Sequence, residues 1–186
     1  MIDNEVLKNK LKLNVISTGG SKANIEMIDM GDADIAIVQN DVMSYAYNGT
    51  DMFEGKEAIK SFSVVASVYP ETIQIIANKN INSIEDLRGK RVSVGDAGSG
   101  TEFNTIQILS AYGINCDTDI IKNYQSFADS CDALKNGTLD AAFLTAGHPT
   151  VAVTELASNF DFNILSIDDA HATKLISKYG YYTKLT

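Results

Sequence analysis

The chain contains no tryptophan, and only two cysteines, two prolines and two histidines among its 186 residues. Each scarcity excludes something. Cys116 and Cys131 lack CxxC spacing and have no histidine close in sequence, so a zinc motif is absent. Cys131 falls mid-helix among small residues and reads as packing rather than as half of a disulfide. No apolar run is long enough to cross a membrane as a helix. Met1 is followed by Ile2-Asp3-Asn4-Glu5 rather than by a charged and then apolar leader, so the expectation is a soluble chain without an export signal of its own. Basic residues are outnumbered, 15 against 24 acidic, and the net charge of −9 opposes nucleic acid or an acidic membrane surface as a partner.

Catalytic groups are equally scarce. His148 and His171 stand near no serine or cysteine in a nucleophile-elbow context. His171 reads as a surface residue, and His148, between Gly147 and Pro149, is the better placed of the two for a cleft. The carboxylates are scattered, with Asp32, Asp34 and Asp140 in turn positions. No catalytic set, metal site or cofactor is expected.

What is present is an ordinary globular composition, 45% hydrophobic and 21% charged, enough for one domain or two small ones. Apolar runs and helical periodicity alternate along it. Strands are expected at Leu11–Ile16, Asp34–Val38, Phe62–Val68, Thr72–Ala77, Arg91–Val94, Ile120–Tyr124, Ala141–Leu144 and Phe162–Ile167. Helices are expected at Ser21–Met30 with a serine cap, Val42–Tyr47, Ser83–Leu87, Glu102–Tyr112, Phe127–Leu134, Val151–Ala157 and Ala170–Tyr179. This alternation with short links is an α/β pattern, and it favours parallel sheets with ligands beyond the carboxyl ends of the strands.

Two glycine-rich turns sit at such ends: Ser17-Thr18-Gly19-Gly20-Ser21 and Gly95-Asp96-Ala97-Gly98-Ser99-Gly100-Thr101. Neither is a P-loop or a dinucleotide fingerprint. The hydroxyls of Ser17, Thr18, Ser21, Ser99 and Thr101, with free N–H groups at helix starts, suit a carboxylate or the carboxylate end of an amino acid. Glu71, Asp41 or Glu102 would then receive an ammonium group. The unit Gly31–Val38 is echoed by Gly137–Leu144: glycine stop, aspartate, apolar strand. Two similar lobes follow from that echo, the first lacking its opening strand and helix.

In order, the segments Ser17–Ser21, Val38–Asp41, Tyr47–Thr50, Tyr69–Glu71, Gly95–Glu102, Thr145–Pro149 and Lys178–Lys184 resemble the TAXI family, the substrate-binding proteins of TRAP transporters. The resemblance implies a two-lobe type II periplasmic-binding-protein-like fold closing on glutamate, a related amino acid or a dicarboxylate. It implies that Thr18, Gly19, Ser21, Gln39 and Asp41 line the first lobe. Tyr69 and Glu71 would lie near the crossover, and Ser99, Gly100, Thr101, Thr145 and Gly147 on the second lobe. Hinges are expected near Ile75–Asn78 and Leu165–Ile167. Lobe I is then residues 1–76 with 167–186, incomplete at its start, and lobe II is residues 77–166. The family also carries a signal peptide and further helices, so the expectation is a chain shortened at both ends, working outside the cytoplasm with TRAP membrane subunits. The alternatives are the effector-binding domain of a cytoplasmic transcription regulator, which a DNA-binding segment upstream would reveal, and a small-molecule enzyme, for which no acid–base set is present.

Overall fold

The computed structural model describes residues 13–185. Strands β1 (Thr72–Asn78), β2 (Arg91–Ser93), β3 (Ile121–Asn123), β4 (Ala141–Ala146) and β5 (Phe162–Ile164) form one sheet in the order β3-β2-β4-β1-β5. The helices are α1 (Ser21–Met30), α2 (Asn40–Asn48), α3 (Gly100–Ala111), α4 (Phe127–Lys135), α5 (Val151–Ala157) and α6 (Asp169–Lys178). Alternate residues of each strand face opposite sides. Ile75, Ala77, Val92, Ala141 and Phe143 pack with Ile108 and Leu109 of α3 and Leu175 of α6. Ile76, Ala142 and Leu144 face Cys131 and Leu134 of α4 and Val153 and Leu156 of α5. The sheet is therefore covered on both sides. Each cysteine lies buried in a different one of these layers, and both are free.

The sheet is mixed, not purely parallel. Strand β2 runs parallel to β3 and β4, whereas β1 is antiparallel to β4 and β5. No helix connects β1 to β2, only a loop with a 3₁₀ turn at Glu85–Leu87, so the right-handed crossover argument does not govern β1. That short turn replaces the helix expected from Ser83. Asp86 still accepts the Asn82 and Ser83 N–H groups at 3.0 Å.

Three expected strands do not form. Residues 13–16, 34–38 and 62–68 have no ladder partner among the described residues, and apart from Val38 and Phe62, which pack on the cluster around α1 and α2, most of their large apolar side chains face outward: Val15 is 89% exposed, Ile35 78% and Val65 91%. An apolar run is buried only where neighbouring strands exist to cover it. Residues 11 and 12 of the first of these runs lie outside the described part. Ahead of the sheet, a separate small cluster of Ile25, Val42, Tyr45, Ala46 and Phe53 joins α1, α2 and a 3₁₀ turn at Asp51–Phe53.

The repeated unit matches at its helix ends. Gly31 and Gly137 both adopt left-handed backbone, φ 78° and 69°. Each closes the same pair of bonds: Gly31 N–H to Ile28 and Asp32 N–H to Met27, Gly137 N–H to Leu134 and Thr138 N–H to Ala133. The copies diverge afterwards, since Asp140 leads into β4 while Asp34 leads into an unpaired segment.

Candidate functional site

The carboxyl ends of β2 and β4 point the same way, and antiparallel β1 begins at that end. Gly95–Ser99, Thr145–Gly147 and Glu71 are thereby gathered at one edge of the sheet. The first glycine turn lies against the second. A side chain at Gly20, whose φ is 143°, would stand 3.1 Å from the Ser99 Cα. One at Gly19 would stand 3.9 Å from the Ala97 carbonyl oxygen, and one at Gly147 would touch the Tyr69 ring at 3.5 Å. The closest approach is at Gly100, where a methyl group would overlap the Gln39 carboxamide at 1.8 Å. Glycine there lets the Gln39 side chain lie on the opening turn of α3.

Asn104, one turn further along α3, joins the two sides. Its amide nitrogen donates to Asp41 Oδ2 at 2.9 Å and to the Tyr182 hydroxyl at 3.0 Å. Its oxygen accepts from Gln39 Nε2 at 3.2 Å and from Thr145 Oγ1 at 3.1 Å. Tyr182 donates to Gln107 Oε1 at 2.6 Å, and Gln107 Nε2 donates to the Tyr45 hydroxyl at 2.8 Å. A continuous polar seam thus links α2, α3, β4 and the segment after α6. On the opposite face of the sheet Gln74 donates to Thr150 Oγ1 at 2.6 Å.

The expected site residues divide into groups. Gln39, Asp41 and Thr145 share Asn104. Ser21 is the first residue of α1 rather than its cap, a position held by Gly20, and its hydroxyl accepts the Gln39 N–H at 3.0 Å. Ser99 lies against Gly20 at the contact between the turns, Gly100 faces the Gln39 carboxamide, and Gly147 faces the Tyr69 ring. Ser99 is itself committed as the cap of α3, accepting the Glu102 N–H at 3.2 Å. Thr101 is buried and packs against Gly95, a structural role. Thr18 turns into its own loop, where its hydroxyl donates to Asn24 Oδ1 at 2.5 Å and accepts the Gly20 N–H at 3.2 Å. Ser17 is exposed and has no side-chain partner among the described residues. His148 is exposed, and His171 pairs with Asp168 at 2.5 Å and makes no hydrogen bond to the seam residues.

Burial governs the electrostatics. Asp41 is 5% exposed, and desolvation raises its carboxyl above the ordinary range against the pull of its bond from Asn104. Glu71 is exposed as a residue, yet the surroundings of its carboxyl also push it up, by desolvation first and the Asp41 charge second. Burial likewise raises the Tyr45 and Tyr182 hydroxyls, so both stay protonated. Among the described residues no three His, Cys, Asp or Glu side chains gather as a metal would require.

Asn104, Gln107, Tyr45 and Tyr182 were not anticipated. One trace of them is visible in the chain: Thr101, Asn104 and Gln107 recur at threes along α3, a buried polar stripe on a helix otherwise rich in apolar residues.

The architecture is similar to solved periplasmic receptors. An aliphatic sulphonate-binding protein of Escherichia coli aligns at 18% identity with a TM-score of 0.53, covering 88% of this chain and 55% of that one. An alkanesulfonate-binding protein of Xanthomonas axonopodis pv. citri, bound to MOPS, aligns at 17% and 0.52, covering 81% and 48%. A periplasmic binding protein of Brucella ovis, with glutathione bound, aligns at 16% and 0.52, covering 86% and 46%. The chain thus spans about half the length of these relatives. At such identities the likeness establishes the fold, a type II periplasmic-binding-protein-like α/β arrangement carried by part of the receptor's length. The model of the NMT1-like family matches residues 1–186, and the chain belongs to that family.

Proposed function

We propose that this chain is the ligand-binding part of an extracytoplasmic solute receptor, capturing a small carboxylate or amino acid between two lobes by hinge closure. The observation that carries the reading is the seam: Asp41 and Gln39 meet Asn104 and Thr145 across more than 40 residues of sequence, where the two glycine turns face each other. Polar groups converging at the carboxyl edge of an α/β sheet are the usual setting of a small-molecule site. Lobe I comprises residues 1–76 and 167–186 and lobe II residues 77–166, with β1 and the segment after β5 as the hinge. The Leu165 N–H donates to the Ile75 carbonyl at 2.8 Å, so these two connections lie side by side and would bend together. The ordered motifs shared with the TAXI family make TRAP membrane subunits the partner and glutamate a first ligand to try. No acid–base pair or nucleophile is placed at the seam, which favours capture over catalysis.

Calorimetric titration of the purified chain with amino acids, dicarboxylates and alkanesulfonates tests the reading, with melting curves recorded alongside. Saturable heat from one compound, and a rise in melting temperature with its concentration, is the expected result. Absence of both across the whole panel overturns it.

A further inference from the structure

This inference rests on the receptor reading and concerns the charge of the ligand. Asp41 lies in the first turn of α2, almost fully buried. Its Oδ1 accepts the Val42 N–H at 2.8 Å and its Oδ2 the Asn104 amide at 2.9 Å. The Asn104 oxygen is occupied by Gln39 and Thr145, which turns the amide nitrogen toward Asp41. Both partners are neutral donors. A carboxylate presents roughly four lone-pair directions, and here two are used. Among the described residues no lysine, arginine or histidine pairs with Asp41 or with Glu71. A buried carboxylate of this kind is costly unless a cation completes it.

Several polar groups of the second glycine turn are meanwhile taken by the chain itself. The Gly98 N–H donates to Glu102 Oε2 at 2.7 Å, the Glu102 N–H to Ser99, and the Gln39 carboxamide covers Gly100. A ligand with only negative charge would meet the buried Asp41 carboxylate with no cation between them.

We infer that the site holds its ligand through a positively charged amine paired with Asp41, so that its substrates are cationic or zwitterionic amines and amine-free carboxylates are rejected. An ammonium group would bring two or three donors to the unused lone pairs and neutralise the buried charge.

Matched compounds titrated into the full chain decide the matter: L-glutamate against glutarate, and L-leucine against 4-methylpentanoate, with L-arginine added. The expected result is binding of at least one amine, at least ten-fold tighter than its amine-free counterpart, with Asp41→Asn removing that preference and Glu71→Gln weakening it. A melting curve for each variant reports whether it folds, and the matched pairs on the unaltered chain decide if Asp41→Asn does not. Equal or tighter binding of the amine-free acids, or a preference that survives Asp41→Asn in a folded variant, overturns the inference and leaves the receptor reading intact. If no compound binds, both fall.

Discussion

Asn104 satisfies four polar neighbours with one side chain: Asp41, Tyr182, Gln39 and Thr145. Removing it would strand a buried carboxylate, and leaving a buried polar group unsatisfied costs about 1–3 kcal/mol. Asn104→Leu is therefore expected to lower the stability measured by urea denaturation by about that amount. A midpoint unchanged from the parent would show that water or a rotated Gln39 takes over its bonds. Arg91 and Asp140 make a different kind of contact, half in solvent. The guanidinium grips the carboxylate through Nε at 3.0 Å and a terminal nitrogen at 2.8 Å, and the Arg91 N–H adds a third bond at 2.8 Å. Arg91 holds the Asp140 carboxyl below its ordinary value of 3.8. A depressed carboxyl contributes stability that is present above the unfolded-state value and is lost as pH falls through the lower native one. Asp140→Asn should thus destabilise at pH 7 and make little difference near pH 2, read from melting temperatures at the two pH values. Asp41 has the opposite sign, because its raised carboxyl favours the folded state less as pH climbs above the ordinary carboxylate range.

At the scale of elements, much of the architecture was legible in the chain. All six helices lie where apolar spacing and glycine stops put them, to within a few residues. Ser126 and Asp168 cap α4 and α6 with their own side chains, as the residue types favour. Ser99 does the same for α3, which begins at Gly100, two residues earlier than periodicity suggests. Ser99→Ala is expected to cost about 0.5–2 kcal/mol, read from the unfolding midpoint. Strands were legible only from residue 72 onward. Thr72–Asn78 and Ala141–Ala146 find each other as neighbours, while 34–38 and 62–68, similar in composition, find none. An apolar run reports a wish for burial, not the existence of a partner. The site was half legible for a similar reason. Gln39, Asp41, Thr145 and Gly100 sit at strand ends or helix starts, where a turn advertises them. Asn104 and Gln107 lie inside a helix, and only the fold reveals which way that helix faces. Cys116 and Cys131 pack in opposite layers of the sheet, with burial pushing each thiol up to about 11. Neither should react with a thiol reagent at pH 8 until denaturant opens the fold, and a reagent-reactive native thiol would contradict this packing.

For the molecule as a whole, stability is divided unevenly. The sheet with its two helical layers holds most of the buried apolar side chains, whereas the cluster around α1 and α2 contributes five. Hydrogen exchange should separate the two: slow amides along β1 and β4, fast ones at 13–16, 34–38 and 62–70. Comparable protection in both regions would mean that those segments are paired in solution. That small cluster has one more consequence, for the order in which the chain assembles. Ile25, Val42, Tyr45, Ala46 and Phe53 are too few to hold α1 and α2 together unaided. These helices must acquire their place on a surface that already exists, the polar stripe of α3 built after residue 99. The part of the chain made first is the part that settles last, and its arrival is what turns Asn104 from an exposed amide into the centre of the site.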